Sequence, residues 1–168
     1  SQMIKTRVVI RDIPADPENR SELMTELEHG VDDIFVSFGG GAKLLKSSRE
    51  VYLKPNAIDA KRFCYTRPEV LEAVIRYFFK VGASEVYVME NSTQGNYTRL
   101  VFEAIGYTQI CKQEGAIPVF LDEEPTEPFE FKGEPPTNQN EPASYDLTNF
   151  EMPHTVAKEL IKRKKENL

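Results

Sequence analysis

The chain has 168 residues, of which 40% are hydrophobic and 29% charged, a composition typical of a folded domain rather than of a disordered or fibrous chain. Its net charge of −6 argues against nucleic acid as a partner, because phosphate binding needs a basic surface. No apolar run approaches the roughly 18 residues of a membrane-spanning helix, so no membrane partner is expected. With two cysteines and no apolar leader region, the chain is expected to be a reduced, cytoplasmic protein.

Strand and helix patterns alternate along the first part of the chain. The β-branched segment 5–13 indicates a first strand. The apolar spacing over 21–38 predicts a helix that can break at Gly30 and that ends at the run Gly39–Gly41. A second strand is expected over 50–54, where the following proline ends the ladder.

The next helix has a well-defined start signal. Thr66 is predicted to cap it, Pro68 to occupy its first turn, and Glu69 to complete a capping box. The elements predicted after this helix are a strand over 85–89, helices over 97–105 and 108–114, and a strand over 117–121. Because this order requires crossover connections, the sequence predicts an α/β fold with an open, mainly parallel sheet and helices on both faces, a Rossmann-like sandwich.

The composition changes after residue 121. Residues 122–151 carry nine acidic residues against one basic residue, and six of the eleven prolines lie between Pro125 and Pro153. Such a segment has too few apolar residues to order itself, so we expect an irregular surface loop with a strand piece near Phe129. The predicted parts of the chain are an α/β body over 1–122, the acidic loop over 123–151, and a terminal helix of the same, truncated domain over 152–168.

Two polar loops follow predicted strands, at the edge where open α/β sheets bind their ligands. The first loop contains Lys54, Asn56 and Arg67, whose ammonium, amide and guanidinium groups favour a carboxylate or a phosphate. The second contains Glu90 and Ser92, either of which can bind a ligand hydroxyl or a metal. We predict these five residues as the binding site for a small anionic molecule, with Lys54 and Asn56 at the end of a central strand and facing a cleft shared with Glu90.

Each loop also has a structural interpretation. The first would then be a solvated surface segment, and the second a helix cap in which Asn96 binds the first turn of the next helix. Cys64 lies among the bases of the first loop, as either a reactive or a half-buried thiol, whereas Cys111 is expected in the core. The sequence pattern indicates no Ser-His-Asp or Cys-His arrangement, so no catalytic residues are predicted. Because an iron–sulfur cluster takes about four thiolates, two cysteines on separate elements predict no such cluster in this chain, and no residue is assigned as a metal ligand.

Four sequence blocks resemble the domain-of-unknown-function 362 family, over about residues 48–122. They are Val51–Asn56, Thr66–Ile75, Gly82–Val88 and Phe102–Tyr107. The resemblance implies an α/β domain from an uncharacterised group of prokaryotic proteins that often carry ferredoxin-like iron–sulfur modules. The family's later lysine-containing block and its cysteine-rich cluster motifs are absent from this sequence. The chain is therefore expected to be the N-terminal part of a longer protein, in which a [4Fe–4S] cluster would lie in a later segment.

Two functions remain open at this point. Either the domain binds a small anionic ligand at the strand carboxyl ends, or it is a non-catalytic scaffold that positions an iron–sulfur electron-transfer module. The terminal helix carries an apolar face of Val156, Leu160 and Ile161, which would fray or pack on another copy of the chain. A homodimer is therefore the macromolecular assembly to test. Neither function decides whether the protein is an enzyme.

Overall fold

The computed structural model describes residues 6–45, 47–130 and 149–161. The chain divides into two compact units, Ser1–Val119 and Phe120–Leu168. Within the described residues, no helix combines the length and the apolar character that crossing a membrane requires.

The first unit is built on a small parallel sheet. Its elements are helix α1 (Arg20–Ser37), strand β1 (Glu50–Leu53), helix α2 (Pro68–Lys80), strand β2 (Glu85–Glu90), helices α3 (Thr98–Ile105) and α4 (Tyr107–Glu114), and strand β3 (Ile117–Phe120). The strand order is β1–β2–β3, so β2 is the central strand of the three. Its side chains Val86 and Val88 are fully buried. The α/β class and the parallel sheet are confirmed, and the larger Rossmann-like sandwich stays a prediction.

The strand predicted over 5–13 is wrong, because residues 6–13 form no strand. Val8 and Ile10 are 76% and 85% exposed. β-Branched residues favour a strand only where a neighbouring strand and an apolar cover are available. The break predicted at Gly30 is also absent, since α1 continues through it. A Cβ atom at Gly30 would lie 2.7 Å from Cδ1 of Ile13, so the glycine allows close packing within an intact helix.

Helix α2 begins at Pro68 as predicted, but the predicted capping box is wrong. The N-cap position is Arg67, and no side chain caps the helix. The Thr66 hydroxyl oxygen instead accepts a hydrogen bond from the backbone N–H of Asn56 at 3.1 Å. The Thr66 side chain therefore bonds across the loop that joins β1 to α2 and does not cap the helix.

The second unit contains an antiparallel pair of strands, β4 (Thr126–Glu130) and β5 (Asn149–Pro153), followed by a helical segment over Thr155–Ile161. Phe129 lies opposite Phe150, with 5.3 Å between the ring centroids. The strand piece predicted near Phe129 is confirmed. The irregular structure predicted for the rest of 123–151 is wrong at 149–151, because those residues belong to β5 and pack across the strand pair. Residues 131–148 lie outside the described part of the chain.

Candidate functional site

The carboxyl ends of β1 and β2 bring together two of the predicted site residues. The strands are parallel and in register, with Leu53 opposite Val88, so the residues after them share one edge of the sheet. Lys54 Nζ lies 2.7 Å from Glu90 Oε1. The Lys54 side chain is 53% exposed, whereas that of Glu90 is 4% exposed. The central strand predicted for Lys54 is in fact the one that carries Glu90, and β1 lies at the edge of the three described strands.

Both carboxylate oxygens of Glu90 have hydrogen-bond donors. Oε1 faces the Lys54 ammonium and accepts from the backbone N–H of Asn91 at 2.9 Å. Oε2 accepts from the backbone N–H of Ala57 at 2.8 Å. A buried charge is tolerated when it is paired and hydrogen-bonded in this way. Glu90 therefore fastens the loop after β1 to the end of β2 and holds Lys54 in place.

Ser92 completes the attachment of the same loop. Its hydroxyl donates to the carbonyl oxygen of Ala57 at 2.6 Å, and its backbone N–H donates to Oγ1 of Thr98 at 2.9 Å. Ser92, Ala57 and Thr98 are all buried. Both backbone polar groups of Ala57 are thus bound by the β2 end, one by Glu90 and the other by Ser92. Ser92 is a structural residue here, since its hydroxyl proton is already donated.

Asn56 and Arg67 are also engaged by other parts of the protein. The side-chain amide of Asn56 donates to the carbonyl oxygen of Cys64 at 3.0 Å. Arg67 donates from Nη2 to the carbonyl oxygen of Pro17 at 2.9 Å and from Nε to Glu69 at 2.8 Å. Of the five predicted residues, Lys54 is the one that presents a partly exposed cation beside the sheet edge. Within the described ranges, Arg67 makes no hydrogen bond or ion pair with Lys54 or Glu90.

The cap predicted for the second loop differs as well. The N-cap position of α3 is Tyr97, which makes no side-chain cap bond. The Asn96 amide instead donates to the carbonyl oxygen of Ile58 at 3.1 Å. Asn96 therefore joins the two loops that follow β1 and β2, a long-range role that local sequence spacing does not reveal.

Tyr107 is a buried residue of this region that the sequence analysis missed. It is fully buried, and its hydroxyl donates to the carbonyl oxygen of Thr66 at 2.6 Å, with the carbonyl oxygen of Asn56 at 3.5 Å. Burial raises the pKa of Tyr107 well above its ordinary value, so the hydroxyl remains a donor at neutral pH. In the sequence, Tyr107 is marked only by its place directly after Gly106. That position does not distinguish it from an ordinary core residue.

A small cleft lies between the end of β1 and the first turns of α2. Its volume is about 180 Å³. The lining residues are Leu53, Lys54, Pro55, Thr66, Val70, Leu71 and Val74. Lys54 and Thr66 are the polar members of this lining, and the other five are apolar. The arrangement combines one ammonium ion with a short apolar surface, which suits a small ligand that has one anionic end.

The two thiols differ in their environments, as expected. Cys64 is half-buried, whereas Cys111 is 1% exposed. Burial raises the pKa of Cys111 to about 11, so its reactive thiolate form is scarce at neutral pH. Within the described ranges, no three His, Cys, Asp or Glu side chains are grouped so that they could hold a metal ion.

We expect iodoacetamide at neutral pH to modify Cys64 in the native protein and Cys111 only after denaturation. The reason is that Cys111 lacks both solvent access and thiolate character. Peptide mass spectrometry after timed alkylation measures both sites in one sample, and the denatured protein is the control for intrinsic reactivity. Equal native alkylation rates at the two thiols would contradict the buried position of Cys111.

A protein-family model matches this chain. The family model described as "Domain of unknown function (DUF362)" matches residues 51–144, which is 94 of the 168 residues. The matched range begins in β1 and includes Lys54, Glu90 and the cleft. No curated protein and no solved structure matches the chain.

Proposed function

The chain belongs to the DUF362 family, and from the geometry around Lys54 we propose that this domain binds a small anionic molecule at the carboxyl ends of its parallel strands. One observation carries the proposal: the half-exposed side chain of Lys54 is anchored by the buried carboxylate of Glu90, and Lys54 lines a cleft of about 180 Å³. Ligands of open α/β sheets bind at this edge.

Lys54 is suited to anion binding although it contacts Glu90. An ammonium ion has three N–H donors, and Glu90 occupies one direction around it. The remaining donors can make charge-assisted hydrogen bonds to a ligand oxygen, which are stronger than neutral ones. Because Glu90 is held by two backbone N–H groups, it keeps the ammonium in position before the ligand arrives.

The other predicted residues take positioning roles in this proposal. Glu90 and Ser92 attach the loop after β1 to the end of β2, and Asn56 stabilises the fold of that loop. Arg67 joins the start of α2 to Pro17 and is not assigned a ligand contact. Lys54 is thus the residue that we propose contacts the anion.

Replacing Lys54 by methionine tests the proposal, since methionine keeps an apolar stem and removes the charge. We expect Lys54→Met to weaken anion binding roughly tenfold or more, the loss typical of one hydrogen bond to a charged group. The measurement is the rise in melting temperature as acetate or inorganic phosphate is added at constant ionic strength.

Lys80→Met is the matched control. Lys80 is a 71% exposed lysine at the other end of α2, and its ammonium lies 3.3 Å from an Asp32 oxygen. This variant therefore removes a lysine–carboxylate pair, here a more exposed one, away from the cleft. It should respond to the anions as the unmodified protein does. If Lys54→Met also keeps the full response, Lys54 is not the anion-binding group.

The alternative is a non-catalytic scaffold that positions an iron–sulfur module of a longer protein. The internal hydrogen bonds of Asn56, Glu90 and Ser92 favour it, because they give the loops a rigid structure without any ligand. A cluster takes about four thiolates, and this sequence has two cysteines, so the module would come from another segment or chain. An absence of any anion response in the unmodified protein would favour the scaffold.

A further inference from the structure

The lining of the cleft beside Lys54 favours a ligand that has an apolar part as well as a negative charge. Five of its seven lining residues are apolar: Leu53, Pro55, Val70, Leu71 and Val74. We infer that the anionic ligand is a monocarboxylate with an apolar tail of about four to six carbons, its carboxylate on Lys54 and its tail in the cleft. This inference rests on the proposed function and names the ligand class for the same site.

The size of the cleft limits the length of the tail. A volume of about 180 Å³ corresponds to about six groups of the size of a water molecule, each of which takes roughly 30 Å³ in the liquid. A methylene group is of similar size. A tail that exceeds about six carbons would therefore extend into solvent, where further methylenes gain little from burial.

The charges around the cleft favour a monoanion over a phosphate. Lys54 is the cationic residue in the lining, and its charge is partly offset by Glu90. The start of α2 adds few donors, because Pro68 has no N–H and the N–H groups of Val70 and Leu71 already donate to the carbonyl oxygen of Arg67. A doubly charged phosphate usually requires several cationic or N–H groups.

Thr66 supplies the second polar group of the lining. Its hydroxyl oxygen accepts from the N–H of Asn56, and its own O–H proton can be donated to a ligand oxygen. One ammonium and one hydroxyl match the two oxygens of a carboxylate.

A series of straight-chain carboxylates from acetate to octanoate tests the inference by titration calorimetry. We expect the dissociation constant to fall about three- to fourfold with each added methylene and to level off near six carbons, because each buried methylene contributes a similar transfer free energy. Butanol and inorganic phosphate are the controls, and we expect both to bind more weakly than butanoate. Butanol tests the need for a negative charge, and phosphate tests the preference for a carboxylate.

Val74 is half-buried and lines the cleft, so Val74→Phe should fill part of the cleft and abolish the dependence of the affinity on chain length. If Val74→Phe fails to fold, the smaller change Val74→Ile should bring the levelling point to shorter chains. Equal affinities along the series, or tighter binding of phosphate, would overturn the carboxylate inference and leave the anion site standing. No binding of any anion would overturn the proposed function as well.

Discussion

Glu90→Gln is expected to lower the free energy of unfolding by about 3 kcal/mol, the cost typical of breaking a buried, hydrogen-bonded charge. The three groups around the Glu90 carboxylate are all donors: the Lys54 ammonium and the backbone N–H groups of Ala57 and Asn91. A glutamine side chain has one oxygen to accept and one NH₂ group, which would have to face a donor. Neither orientation of the amide satisfies this site.

Chemical denaturation of the purified protein measures the effect, and Glu85→Gln is the control. Glu85 is exposed at the other end of the same strand, so replacing its carboxylate by an amide should change the free energy of unfolding by no more than about 0.5 kcal/mol. If the two variants are equally stable, Glu90 does not hold the loop to the strand.

Gly41→Ala is the second substitution with a large expected effect. We expect it to lower the free energy of unfolding by about 2 kcal/mol, because the added methyl group overpacks the site. A Cβ atom at Gly41 would lie 2.6 Å from the Tyr77 hydroxyl oxygen and would overlap its ring. That ring cannot move aside easily, because it stacks on Phe35 with 4.6 Å between centroids and meets the edge of Phe78. The same hydroxyl accepts a hydrogen bond from the N–H of Gly41 at 2.7 Å.

A double-mutant cycle with Tyr77→Leu tests this cause. Leucine removes the part of the ring that an alanine at position 41 would strike, so the double variant should lose less stability than the sum of the two single losses, by at least about 1 kcal/mol. Strictly additive losses would show that the clash with Tyr77 is not the reason for a glycine at this position.

The framework of the site could be predicted because it depends on local patterns. Periodic apolar residues indicate α2 and β2, and Pro55 and Gly82 mark where neighbouring elements end. Two strands connected through a helix are parallel, so their following residues must share one sheet edge. Because β1 and β2 are also neighbours in the sheet, Lys54 lies beside Glu90, with 2.7 Å between Lys54 Nζ and Glu90 Oε1.

The hydrogen-bond partners of the site could not be predicted in the same way. Ser92, Asn56 and Arg67 bind backbone carbonyl oxygens that lie 8 to 50 positions away in the sequence. A polar side chain that hydrogen-bonds to the backbone and one that binds a ligand can be the same residue type at the same place in the sequence pattern. Sequence alone therefore does not distinguish the two roles. The strand expected over 5–13 was wrong for a related reason, since pairing depends on distant partners that local propensity does not report.

We propose above that the Lys54 ammonium contacts a small anion beside the sheet edge. Amide NMR spectra of the protein recorded during a titration with acetate at constant ionic strength test it most directly. We expect saturable chemical-shift changes that are largest over residues 53–57 and 66–74 and that disappear in Lys54→Met but persist in Lys80→Met. Shifts that are absent from these residues, or that remain unchanged in Lys54→Met, would contradict it.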